Sequence, residues 1–209
     1  MLGLAIHTAS PQLGLALGDF AGEARSQTWD FGRDLSTHLH NTLGNFIAPH
    51  VWTDLSFLAV ARGPGGFTGT RIGVVTARTL AQQLDIPLFG ISTLAAVAQA
   101  ALTQNDLSTR QPSPAIAVDM RAQRNMRFTA IYQVRNNTLM PIQPEQVVSP
   151  EAWEQTLREY KSPVFPVTAE QDIAKTVPQI LELAYQQWQP GNCPAWYEVM
   201  PYYGQHPVD

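Results

Sequence analysis

The segment Gly63 to Gly73, GPGGFTGTRIG, is the stretch of this 209-residue chain best suited to chemistry with an anion. Gly63, Gly65 and Gly66 stand between an apolar run and a helix-like run, where the chain must turn sharply and expose backbone N–H groups. The N-terminus of a following helix carries about half a positive charge, which suits a phosphate. With Thr68 these glycines form the candidate nucleotide-contacting set. The specific signatures are missing, however. Thr68 stands where GxGxxG needs its third glycine, and no Lys-Ser or Lys-Thr follows to complete a Walker A loop. A tight structural turn competes with the phosphate loop as a reading.

Other side chains with chemical potential are scattered. Nucleotide hydrolysis needs hard oxygen ligands for Mg²⁺, and the first apolar hairpin offers His7 in AIHTAS instead of a carboxylate. His38 and His40 are two residues apart and diverge by about 200° around a helix, so they cannot chelate together. His50 and His206 have no evident companions in sequence. Ser10, Ser36, Ser92 and Cys193 are nucleophiles by residue type only, because no GxSxG elbow surrounds any of them. No metal site and no catalytic residue are expected. Arg121, Arg124, Arg127 and Arg135 form the local basic cluster, where a solvated face competes with a contact to an acidic partner or an RNA phosphate. Asp119 is the carboxylate on which a divergent hydrolase reading would rest.

The formal net charge of −4 does not favour direct binding of a polyanion. Hydrophobic residues at 44% and charged residues at 14% describe a compact folded chain. One cysteine excludes an intramolecular disulfide and fits a reducing, cytoplasmic compartment. The opening MLGLAIHTASPQLGLAL has no positive charge before Arg25 and is broken at Ser10-Pro11, so it fails as a signal peptide. No apolar run approaches the roughly 20 residues of a membrane span, so no membrane association is expected.

The elements that must position these residues recur in order. Residues 2 to 7, 12 to 18 and 23 to 31 read as a meander of three strands, and 115 to 120, 126 to 134 and 138 to 143 repeat it, with an Asn136-Asn137 turn. After the first meander, LSTHLHNTLGNFIA (35 to 48) is an amphipathic helix with Leu35, Leu39, Leu43, Phe46 and Ile47 on one face and Pro49 as its stop. A strand at 56 to 63, a helix at 68 to 84, a strand at 86 to 92 and a helix from Thr93 follow. After the second meander, Ser149 caps a helix to 160, PVFPVT is a strand and 177 to 188 a helix. The polar, proline-containing stretch 103 to 115 separates the halves, giving an α/β chain of two small subdomains, 1 to 105 and 106 to 209. A single α/β sheet with chance-similar hairpins is the competing arrangement.

Gly69, Gly73, Ala77 and Ala81 recur every four residues, so four small side chains line one helical stripe. Another backbone can come close there. It belongs either to the helix's own sheet or to a helix of another subunit.

GPGGFTGTRIG resembles the GPGSFTGxRIG signature of the TsaB family. IPLFGISTLAAVA and AVDMRAQRNMRFTAIY resemble the same family in order and spacing, so the likeness covers residues 2 to about 135. It departs at His7, where relatives more often have Asp, and at Leu35-Ser36, where they open the helix with His-Ser. The resemblance implies a duplicated actin-like, sugar-kinase-like (ribonuclease H-like) fold without catalysis of its own. It implies pairing with a TsaD-type catalytic subunit, alongside a TsaE-type ATPase, for threonylcarbamoylation of adenosine in tRNA. The isolated chain is then a homodimer through the same surface, and tRNA is reached only through the complex. Carried over, the pairing surface is Leu39, Leu43, Phe46, Gly69, Arg71, Gly73, Val74, Ala77 and Ala81. The chain has no cofactor of its own, and ADP or ATP at the subunit interface is the one nucleotide the family suggests. The alternatives are a divergent actin-like or sugar-kinase-like ATPase using Gly63 to Gly69, or a glycoprotease-like peptidase.

Overall fold

The computed structural model describes residues 1–107, 113–135, 138–170, 172–188 and 191–204. The Asn136-Asn137 turn, part of the 103–115 boundary and His206 lie outside the described residues. Two compact units emerge, one of Met1–Thr93 with Asp172–Tyr202 and the other of Leu94–Gln171 with Tyr203–Asp209.

In the first unit, β1 (Leu2–His7), β2 (Gln12–Gly18) and β3 (Ala24–Asp30) form the antiparallel meander, and β4 (Leu55–Gly63) and β5 (Leu88–Ser92) join in parallel beside β1. The strand order is β3-β2-β1-β4-β5. This is the ribonuclease H-like arrangement. Parallel neighbours need crossovers, and α1 (Leu35–Ile47) and α2 (Phe67–Leu84) supply them. Leu35, Leu39, Leu43 and Ile47 recur every fourth residue, so α1 buries one stripe against Leu15, Leu17 and the apolar face of β1. Val74, Ala77 and Ala81 of α2 enter the same core. The far end of α1 is held by Arg25, whose guanidinium donates to the carbonyls of Phe46, Ile47 and Ala48 at 2.9, 3.1 and 2.8 Å. A cation there answers the unpaired carbonyls and negative end of the helix dipole.

The opposite face of this sheet carries Phe57 and Phe89 and also needs a cover. That cover is α5 (Val177–Trp188), which lies against β1, β2, β4 and β5. Phe57 stacks on Trp188 with ring centroids 5.9 Å apart, and Tyr185 stacks on Phe20 at 3.7 Å. The division expected at residue 105 is therefore corrected on both sides: residues 94 to 105 fall in the second unit, and α5 returns to the first, because two apolar sheet faces need two covers.

In the second unit, β6 (Ala115–Arg121), β7 (Arg127–Arg135) and β8 (Thr138–Val148) repeat the meander, and β9 (Val164–Ala169) runs parallel to β6. The order β8-β7-β6-β9 matches the first four positions of the first sheet. Trp153 of α4 (Pro150–Glu159) buries one face with Ala115, Ala117 and Ile131. Ser149 caps α4 as its residue type predicts, accepting from the Ala152 N–H at 3.2 Å. The buried Leu94, Ala96 and Ala98 lie on α3 (Thr93–Gln104).

Candidate partner surface and the glycine turn

The turn between β4 and α2 is built by close approach. Gly63 has φ +103°, a region closed to most side chains, and a Cβ there would strike the Tyr202 carbonyl. Tyr202 holds that position by donating its N–H to the Arg62 carbonyl at 2.7 Å. Gly65 is pressed against Ala9, and the Gly66 N–H donates to the Ala9 carbonyl at 2.7 Å. These glycines are committed to internal contacts.

Gly66 and Thr68 do line a cavity of about 510 Å³, with Ser10, Arg33, Gly69 and Ile72. Helix α2 opens there without a side-chain cap, and first-turn amides have no partner within their own helix. Arg33 is exposed and lines the same cavity, while the Gly66 N–H is already taken by the Ala9 carbonyl. His7, at the end of β1, is fully buried, and its Nδ1 accepts from the Ala9 N–H at 3.3 Å. That bond places the ring proton on Nε2, which has no partner in the structure. Burial lowers its pKa to about 4, so the ring is neutral near pH 7. A neutral imidazole with its acceptor nitrogen occupied offers Mg²⁺ nothing.

Asp119 is equally committed. Arg127 Nη1 donates to its Oδ2 at 2.7 Å and Thr168 Oγ1 to its Oδ1 at 2.9 Å. Among the nucleophile candidates, Ser10 Oγ accepts from the Gln12 N–H at 3.4 Å, Ser36 is exposed on α1, Ser92 is buried at the end of β5 and Cys193 is exposed. Among the described residues, no group of three His, Cys, Asp or Glu side chains could hold a metal ion, and no helix is long and apolar enough to cross a membrane.

The expected pairing surface needs correction. Leu39, Leu43, Gly73, Val74, Ala77 and Ala81 are buried in the first unit's own core. The small-residue stripe serves the helix's own sheet, since a Cβ at Gly69 or Gly73 would collide with Thr8 just beyond β1. Thr8 Oγ1 completes the contact by donating to the Gly69 carbonyl at 2.8 Å. Phe46 is half-buried, its ring edge-on to Trp29 at 5.9 Å. Arg71 is exposed, with its guanidinium over the Phe67 ring.

The outward faces are different residues. On α2, Val75 is 60% exposed and Phe67 is 36% exposed; beside that helix, Tyr197 and Met200 are 60% and 59% exposed. Arg78 links the two segments through the Trp196 ring and Met200 Sδ. On α1, His38, His40, Asn41 and Gly44 face outward, with His38 stacked on Phe31. Sequence reading also missed the companions of His50, whose Nε2 lies 3.0 Å from both Glu23 oxygens. A separation of 27 residues across a hairpin and a helix leaves no local signal for that pair.

The family model described as "TsaD: tRNA N6-adenosine threonylcarbamoyltransferase" matches residues 48–186, more than half of the chain. Curated relatives named "tRNA threonylcarbamoyladenosine biosynthesis protein TsaB" include one from Bacillus subtilis (strain 168), 38% identical over 111 residues that make up 53% of this chain and 45% of the relative. Another, from Escherichia coli (strain K12), is 49% identical over 53 residues, or 25% of this chain and 23% of the relative. The matched segments thus span less than half the length of these relatives. Among solved structures, an uncharacterized protein with similarity to peptidase YEAZ from Pseudomonas aeruginosa superposes with a TM-score of 0.79, covering 98% of this chain and 99% of that one at 22% identity. At that identity the likeness speaks for the fold. By sequence, this chain belongs to the family of the TsaD model and, within it, to the TsaB proteins.

Proposed function

We propose that this chain is a non-catalytic partner and activator of a TsaD-type catalytic subunit in threonylcarbamoylation of adenosine in tRNA. The names of its relatives support the pathway. The observation that carries the partner role is the outward strip on α1 and α2, where a 60%-exposed Val75 and the Phe67 ring sit on the outer face of a helix whose inner face is committed to the core. Gly44 adds to it. This glycine is inside α1, a Cβ there would meet nothing within 4 Å, and the helix forgoes about 1 kcal/mol relative to alanine. Close approach of another helix gives that glycine a use.

The commitments of His7 and Asp119 speak against the ATPase alternative. A TsaE-type ATPase, a homodimer in the absence of the partner, tRNA reached through the complex and a cytoplasmic location complete the proposal. ADP or ATP at the interface would place a phosphate beside Thr68 and Arg33, which line that cavity.

The test is co-elution of the two subunits on a sizing column. Val75→Arg should abolish pairing while leaving the melting temperature of the isolated chain within about 2 °C, since surface changes away from special features usually stay within about 0.5 kcal/mol. Gly44→Ala should stabilise the isolated chain by up to about 1 kcal/mol and weaken pairing. Undiminished co-elution of Val75→Arg would remove this surface from the proposal.

A further inference from the structure

The charge of this chain is unevenly placed. The 25 residues from Met120 to Pro144 contain four arginines and no carboxylate, while the chain as a whole has 13 basic and 17 acidic side chains. The remainder therefore carries nine against seventeen, a net −8.

Three of those arginines gather at the reversal between β6 and β7. Ala122 N–H donates to the Met126 carbonyl at 2.9 Å and Met126 N–H to the Gln123 carbonyl at 3.0 Å, closing a tight turn. Its two central residues, Arg124 and Asn125, have φ of +54° and +58°. That is the two-residue hairpin geometry that favours Asn-Gly, and an arginine in its first central position is unfavourable for the backbone. Arg121 and Arg127 face each other directly in the strand register. Like charges so placed repel, and only one of them is answered. Arg127 takes Asp119, whose other oxygen accepts from Thr168. Arg121 and Arg124 are exposed, and no ion pair reaches either among the described residues.

We propose that this hairpin tip is a direct contact for the phosphodiester backbone of RNA, with Arg121 and Arg124 each taking a phosphate. The inference rests on the reading of the chain as part of a tRNA-modifying complex, and adds to it a point where this subunit itself touches the nucleic acid. An acidic protein partner fits less well. Protein interfaces have an apolar centre, and none of the exposed large hydrophobic side chains lies between residues 121 and 127. The tip offers guanidinium forks with the side-chain amides of Gln123 and Asn125, the group types that hold phosphates. The net −8 elsewhere confines the contact to one or two phosphates, so another subunit supplies the rest.

The test is fluorescence anisotropy with labelled tRNA and the chain co-purified with its TsaD-type partner, from about 50 to about 300 mM KCl. Arg121→Gln with Arg124→Gln should weaken binding about tenfold near 0.1 M salt and flatten the slope of log K against log salt by about 1.5 to 2, the value for two phosphates. Arg158→Gln, an exposed arginine of α4 in the same unit, should change neither. A wild-type slope in the double variant overturns the proposal. So does arginine-dependent binding of poly-glutamate together with unaltered tRNA binding, which would assign the tip to a protein. Failure of the two subunits to co-purify overturns the pairing proposal, whereas a wild-type slope in a co-purified double variant overturns the tip alone.

Discussion

Gly73→Leu is expected to lower the stability of the chain by about 3–5 kcal/mol, a large share of the roughly 5–15 kcal/mol of a folded domain, whereas Val75→Arg two residues on is expected to leave it nearly unchanged. The difference follows from what each position faces. A Cβ at Gly73 collides with Thr8 Oγ1 and lies 3.3 Å from Thr8 Cβ. Thr8 cannot give way, because it is fully buried at the end of the strand paired to both β2 and β4, with its hydroxyl bonded to the Gly69 carbonyl. Overpacking alone costs about 1–3 kcal/mol, and losing the Thr8 hydrogen bond adds about 1. Lifting α2 from the sheet also exposes Val74, Ala77 and Ala81. Urea unfolding followed by circular dichroism measures the effect. A Gly73→Leu chain that unfolds at the wild-type midpoint would show that the stripe does not hold α2 to its sheet.

That stripe shows where sequence reading stops. Gly69, Gly73, Ala77 and Ala81 at four-residue spacing state that something comes very close, and the structure agrees. The spacing does not state what comes close, because a helix's own sheet and a foreign helix ask for the same small side chains. Local signals were legible throughout: Ser149 before Pro150 as a cap, Leu35 to Ile47 as a buried stripe, and the meander of β6, β7 and β8 as a repeat of the first. Long-range placement was not. The apolar face of α5 is as suited to one sheet as to another, and only the bare second face of the first sheet, with Phe57 and Phe89, decides where it docks. At the glycine turn, the missing lysine and third glycine were visible in sequence. That Gly63 and Gly65 serve Tyr202 and Ala9 was not, since those contacts join segments far apart in the chain.

His7 gives the other large expected effect, a loss of stability of about 3 kcal/mol as pH falls from about 6.5 to about 4. In the unfolded chain the imidazole takes up its proton with the ordinary pKa of 6.5, while burial lowers the folded value to about 4. Above 6.5 both states are neutral and His7 adds no pH dependence. Between the two values the unfolded state binds the proton and the folded state excludes it, so each pH unit downward favours unfolding by about 1.4 kcal/mol. Below about 4 both states are protonated and the penalty is complete. The carboxylate of Asp172 acts in a lower window: Lys175 and Gln12 hold its pKa below the usual 3.8, so its contribution fades only under that value. His7→Asn isolates the effect, because an amide oxygen can accept from the Ala9 N–H in place of Nδ1 and does not titrate. Urea midpoints measured from pH 7.5 to 4.5 should fall steeply for the wild-type chain and distinctly less for His7→Asn. Parallel curves for the two proteins would mean that the buried imidazole takes up its proton without disturbing the fold, and that the end of β1 has access to water or to an acceptor for Nε2.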